Sequence, residues 1–94
     1  MRKLVWDNSF RRAFKKRTRN NSLLETRILE ALALLAKEPF HPGLKTHKLR
    51  GTLEGLWACW VEYDCRVVFL FVPDPHGGED AIVLVDIGSH DQVY

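Results

Sequence analysis

His47, Asp64, Arg66, His90 and Tyr94 are the residues of this chain whose types and spacing could do chemistry together. An ordinary imidazole titrates near pH 6.5, so a histidine can give or take a proton at neutral pH. A carboxylate can orient a histidine or act as a base. A guanidinium can hold a phosphate and stabilise the negative charge that builds up in a transition state. A terminal aromatic ring can stack on an unpaired base. If the fold brings these residues together, the set suits RNA. RNA carries its own nucleophile, the 2′-OH, so its cleavage needs no covalent protein residue, no metal and no cofactor. The protein must position a phosphate, remove one proton and deliver another.

Each residue also has a plainer reading. His47 and His90 could be exposed loop histidines. Asp64 is a favoured turn residue whatever the function. Arg66 could form a weak surface pair with Glu62 across a hairpin, and Tyr94 could be a frayed terminus. Trp6, Trp57 and Trp60 read first as core.

Charge points to a partner. Residues 1 to 19 hold eight of the fourteen Lys and Arg and a single acid, Asp7, although the whole chain carries only +2. Arg11, Arg12, Lys15 and Lys16 lie in this stretch, and Lys45, Lys48 and Arg50 surround His47. A positive end on a nearly balanced chain implies an anionic partner: nucleic acid, an acidic membrane surface or an acidic protein. A solvated helix face would explain the same charges.

Ninety-four residues, 46% hydrophobic and 28% charged, imply one globular domain over residues 1–94. The N-terminus has no apolar signal-type run, and no apolar run approaches the roughly 20 residues of a membrane span. A cytoplasmic protein with no membrane partner is expected. The two cysteines, Cys59 and Cys65, suggest neither a disulfide framework nor a C-x-x-C metal pair. With a plain turn at Tyr63–Asp64 they would point to opposite faces of a hairpin and could not bridge.

The positioning elements follow from periodicity. KLVW (3–6) reads as a short strand and DNS (7–9) as a helix start. FRRAFKKRTR (10–19) puts Phe10, Ala13 and Phe14 on one side of a helix and bases on the others. RNN ends it. SLLE, from Ser22, reads as a capping box with Glu25 at N3, opening a helix to about Lys37, before Pro39. Leu24, Ile28, Leu32 and Leu35 form its core face. Residues 39–55 read as a loop with a short extended piece at HKL. LWACWVEY (56–63) and CRVVFLFV (65–72) read as a hairpin, and AIVLVDI (81–87) as the last strand. The result is an α+β fold, β-α-α-β-β-β, with a helical hairpin packed on a small, mainly antiparallel sheet.

HKLRGTLEG (47–55), WVEYDCRVVFLF (60–71) and IGSHDQVY (87–94) then carry a resemblance. The chain resembles the RelE/ParE superfamily of toxin-antitoxin toxins, and within it the YafQ-like branch. The shared pattern is a His-x-Leu-x-Gly loop, a hairpin with a turn aspartate, and a closing Gly-[Ser/Thr]-His followed by a terminal aromatic. The β-α-α layout before them agrees, so the resemblance covers nearly the whole chain.

The resemblance implies a RelE-like fold and a ribosome-dependent mRNA endoribonuclease that leaves a 2′,3′-cyclic phosphate and a 5′-OH. It implies a cognate antitoxin, the ribosome and mRNA as partners. The expected states are a monomer alone and a hetero-oligomer with the antitoxin. His47, Asp64 and His90 match acid-base positions of YafQ-like toxins, and Tyr94 matches the terminal aromatic. Arg66 matches a strand arginine of RelE that contacts phosphate. Trp60 departs from the pattern, standing where YafQ-like toxins have a second histidine. Tryptophan cannot move protons, so Trp60 either stacks on a base or packs. The same superfamily leaves two alternatives: a ParE-like toxin that inhibits DNA gyrase without catalysis, and a decayed toxin that only binds its antitoxin.

Overall fold

Phe10, Ile28, Leu35, Phe69, Ile82 and Leu84 are all withdrawn from water in one layer between two helices and a sheet. The computed structural model describes residues 1–90. The chain runs β1 (Leu4–Trp6), α1 (Asn8–Thr18), α2 (Ser22–Lys37), β2 (His47–Lys48), β3 (Trp57–Glu62), β4 (Cys65–Val72) and β5 (Ala81–Gly88). Short 3-10 turns at Pro42–Leu44 and Gly51–Leu53 flank β2. The sheet order is β1-β5-β4-β3-β2, with β1 parallel to β5 and the other pairs antiparallel. This is the α+β architecture expected from the sequence. The extended piece at HKL adds a fifth strand, pairing His47 with Ala58 and Lys48 with Trp57.

Both helices start on side-chain caps. Asp7 Oδ2 accepts from the Ser9 hydroxyl at 2.5 Å and from its backbone N–H at 3.3 Å. These bonds hold the Asp7 carboxyl below its usual range. One wall of α1 then packs as its spacing demands: Phe10 is wholly buried, and Trp6 meets Phe10 and Phe14 edge-on at 4.9 and 5.1 Å.

The start of α2 differs from the expected capping box. Asn20 adopts a left-handed φ of 58°, which asparagine tolerates, and reverses the chain one residue early. Asn21 therefore becomes the N-cap, its side chain accepting from Leu24 N–H at 3.1 Å. Glu25 falls at N4, one position too far to close a box with Ser22. Replacing Asn21 by Ala should lower stability by about 1 kcal/mol, while Ser22→Ala should change it little. Urea midpoints of the two variants check this; equal losses would move the cap to Ser22.

A β-bulge between Trp60 and Glu62 overturns the expectation for the cysteines. The extra residue pairs Cys59 with Val67, so Cys59 and Cys65 face the same helix-side core. Both are free thiols. Burial pushes Cys59 up to about 12 and Cys65 up to about 11, so neither supplies a thiolate at neutral pH.

The other sheet face holds a smaller apolar cluster, where Leu49, Leu53 and Leu56 fold over Ala58 and Val68. Side chains alternate along strands, and the register pairs His47 with Ala58, Ala58 with Val68, and Trp60 with Arg66. His47, Trp60 and Arg66 therefore share this second face.

Candidate active site

The Tyr63–Asp64 turn joins β3 to β4 at one end of the sheet. Arg66 is 6% exposed and is the one buried charged side chain among the described residues. Its Nη1 donates to the carbonyls of Glu62, Tyr63 and Cys65, at 2.5, 2.9 and 3.2 Å. The guanidinium thus ties the turn together from inside. The plainer alternative, a surface pair with the Glu62 carboxylate, is not made: that carboxylate meets Arg27 at 3.3 Å, and Arg66 takes the carbonyl instead. A buried guanidinium needs several acceptors, and a turn's clustered carbonyls offer them without desolvating a second charge.

The same guanidinium reaches the end of β5. Arg66 pairs with Gly88 across β4 and β5, so the chain two residues later returns to the turn. Arg66 Nη2 lies 3.5 Å from His90 Nδ1. Arginine can only donate, so Nδ1 is the accepting nitrogen and a neutral ring carries its proton on Nε2. Asp64 Oδ1 accepts from the His90 backbone N–H at 3.3 Å, and Arg17 Nη1 donates to the Asp64 carbonyl at 3.1 Å. Three of the five candidates, Asp64, Arg66 and His90, are thereby gathered in one cluster.

His47 stands apart from them on the same face. Two strand spacings and a two-residue offset put its backbone roughly 12 Å from that of Arg66. Its Nδ1 bonds the Lys45 carbonyl at 2.9 Å. Trp60 lies between the two parts. The Lys45 ammonium sits 5.1 Å from the Trp60 ring centroid, and the Arg66 guanidinium 6.0 Å. Where the resemblance has a second histidine, this chain has an aromatic ring flanked by two cations. Tyr94 lies outside the described residues.

Arg11, Arg12, Lys15 and Lys16 are exposed, off the buried Phe10 wall, as their spacing implies. Lys16 and Arg17 border a groove of about 810 Å³ that runs from α1 past Gly88 to Leu53 and Leu56. Lys48 stacks over Trp57 at 5.5 Å, and Arg50 precedes the Gly51–Leu53 turn.

Tyr63, which the sequence places only in the turn, also belongs to the site. Its side chain is 79% exposed and its ring lies nearly parallel to that of His90, centroids 6.2 Å apart. The sequence signal for it was an aromatic residue next to a turn aspartate. Arg17 left none, because it meets Asp64 from another element 47 residues away. Among the described residues no three His, Cys, Asp or Glu side chains group to hold a metal, and no helix is long and apolar enough to cross a membrane.

The family model for the bacterial toxin of type II toxin-antitoxin systems, YafQ, matches residues 2–94. A YoeB/ParE toxin from Agrobacterium tumefaciens superposes with a TM-score of 0.75 at 22% identity, over 94% of this chain and 98% of that one. A conserved hypothetical protein from Helicobacter pylori is 31% identical over 97% of each chain, with a TM-score of 0.67. A chain of the E. coli DinJ-YafQ complex gives 0.74 at 14% identity, over 100% of this chain and 99% of that one. No curated protein matches the sequence. With the family matched over nearly its whole length and the RelE-like sheet in place, the chain belongs to the YafQ family of bacterial type II toxins.

Proposed function

We propose that this toxin is a ribosome-dependent mRNA endoribonuclease restrained by a cognate antitoxin. The observation that carries the reading is the convergence of Asp64, Arg66 and His90 beside an exposed tyrosine, on a face shared with His47. The antitoxin follows from the family description and from the DinJ-YafQ complex.

In the proposed reaction the 2′-OH attacks the adjacent phosphorus. Its proton leaves to a base, the phosphorus–O5′ bond breaks, and the departing oxygen takes a proton to give a 5′-OH and a 2′,3′-cyclic phosphate. His47, Asp64 and His90 are the groups available for the two proton transfers. The second Nη2 N–H and the Nε–H of Arg66 are the donors for the phosphate oxygens, since Nη1 is committed to the turn and the first Nη2 N–H faces His90. Trp60, with cations on its flanks, suits a stacked base, as does Tyr94. Arg11, Arg12, Lys15, Lys16, Lys45, Lys48 and Arg50 supply positive charge toward ribosomal and messenger RNA.

Primer extension on mRNA incubated with ribosomes and purified protein tests this. Cuts should appear only when ribosomes are present, and should fade as salt rises, because the basic contacts are screened. Intact mRNA together with lost DNA supercoiling activity would replace this reading with gyrase inhibition.

A further inference from the structure

A second surface lies outside the cluster just described. A groove of about 720 Å³ beside β2 is lined by His47, Lys48, Arg50, Glu54 and Trp57, among others. Trp57 carries the Lys48 ammonium over its ring at 5.5 Å and meets Phe40 edge-on at 5.6 Å. Phe40 in turn stacks on Phe71 at 5.9 Å, and the Arg2 guanidinium covers Phe71 at 5.7 Å.

Phe40 is 60% exposed, so the fold gains little from its ring. Yet the ring packs on Trp57 and Phe71, and the backbone around it is hydrogen-bonded. Phe40 lies in the turn three residues past the end of α2, where His41 N–H bonds the Glu38 carbonyl at 3.0 Å and the Thr46 hydroxyl bonds the Pro39 carbonyl at 2.6 Å. Among the described residues neither Lys48 nor Arg50 is in an ion pair, although Glu54 shares the groove. Their charge remains available to an anionic partner. A basic groove for a backbone, beside an exposed aromatic ring for a base, is the arrangement that single-stranded nucleic acid uses. Carboxylates alone would engage the cations without the ring, whereas a nucleotide chain engages both. His47 also lines the groove, which joins it to the proposed active site.

We infer that this surface holds the single-stranded RNA flanking the cleaved nucleotide, with Lys48 and Arg50 on phosphates and a base stacked on Phe40. The inference rests on the endoribonuclease reading and extends its substrate beyond the cut position.

The probe is a fluorescein-labelled 2′-O-methyl RNA dodecamer, which lacks the attacking hydroxyl and stays intact. Anisotropy titrations with the full chain should show Phe40→Ala binding it about 5- to 150-fold more weakly, the loss of one base stack, and Phe40→Trp binding like wild type. The Lys48→Gln/Arg50→Gln double variant should flatten the salt dependence by about 1.4 in log–log slope, for two phosphate contacts. Thermal melts confirm folding. Wild-type protein that ignores the dodecamer, or Phe40→Ala that binds it equally well, overturns the inference. So does a Phe40→Ala protein with normal RNA affinity that escapes its antitoxin, which would make the surface a protein-docking site. Ribosome-dependent cleavage by wild type, measured in parallel, separates the two claims. Its absence sinks the endoribonuclease reading, whereas cleavage with unchanged Phe40→Ala binding sinks only this one.

Discussion

His90→Ala should lose cleavage by about 10² to 10⁴ in single-turnover rate, the usual cost of removing a positioned acid or base. The protein should stay folded, because the ring packs against an exposed tyrosine at the sheet end and its loss opens no core cavity. The geometry favours this residue over its neighbours. Its backbone N–H bonds Asp64 Oδ1 at 3.3 Å and its Nδ1 lies 3.5 Å from Arg66 Nη2, so two of the other candidates hold the imidazole at the turn. Growth arrest should disappear with cleavage. Full activity in folded His90→Ala would take this histidine out of the chemistry and leave the plain loop reading.

Arg66→Met should be the second large effect, and it should act on both stability and rate. Three turn carbonyls lose their shared donor, and hydrogen bonds from charged groups contribute about 1.5–3 kcal/mol each in favourable cases. Water replaces part of this at the exposed turn, so a loss of about 2 kcal/mol is expected, or roughly 10 °C in melting temperature. Cleavage should fall by at least about 10², because the guanidinium touches His90 and offers donors to phosphate. Arg66→Lys should not rescue, since one ammonium cannot fork between the turn and the imidazole. Nitrogen-15 NMR of the imidazole separates positioning from simple loosening. Wild type should hold His90 mainly with its proton on Nε2, and Arg66→Met should let the two tautomers mix. An unchanged tautomer balance would remove the Arg66–His90 contact from the account.

Much of this was legible because its causes are local. Phe10, Ala13 and Phe14 recur at helical spacing, so α1 and its buried wall follow from the order of residues. CRVVFLFV is rich in β-branched and aromatic residues, and β4 has the bounds that this run implies. Asp64 stands in the turn that its side chain favours. The α2 cap lies one residue before the one its pattern implies, because the left-handed turn at Asn20 decides between two adjacent capping residues.

The tertiary structure decided what depends on strand register. The bulge beside Val61 turned Cys59 and Cys65 to one face, an inversion that periodicity alone cannot show, since one inserted residue flips all that follows. The pairing of Arg66 with Gly88 brought His90 back to Asp64, 26 residues away in sequence. The β3–β4 register aimed a buried guanidinium at three turn carbonyls rather than at the Glu62 carboxylate, and left Trp60 between His47 and the rest of the site. The residue types named a chemistry, because an imidazole or a guanidinium carries its reactivity wherever it sits. Which of them meet was settled by hydrogen-bonded register between distant segments, and that information is in no short stretch of the chain.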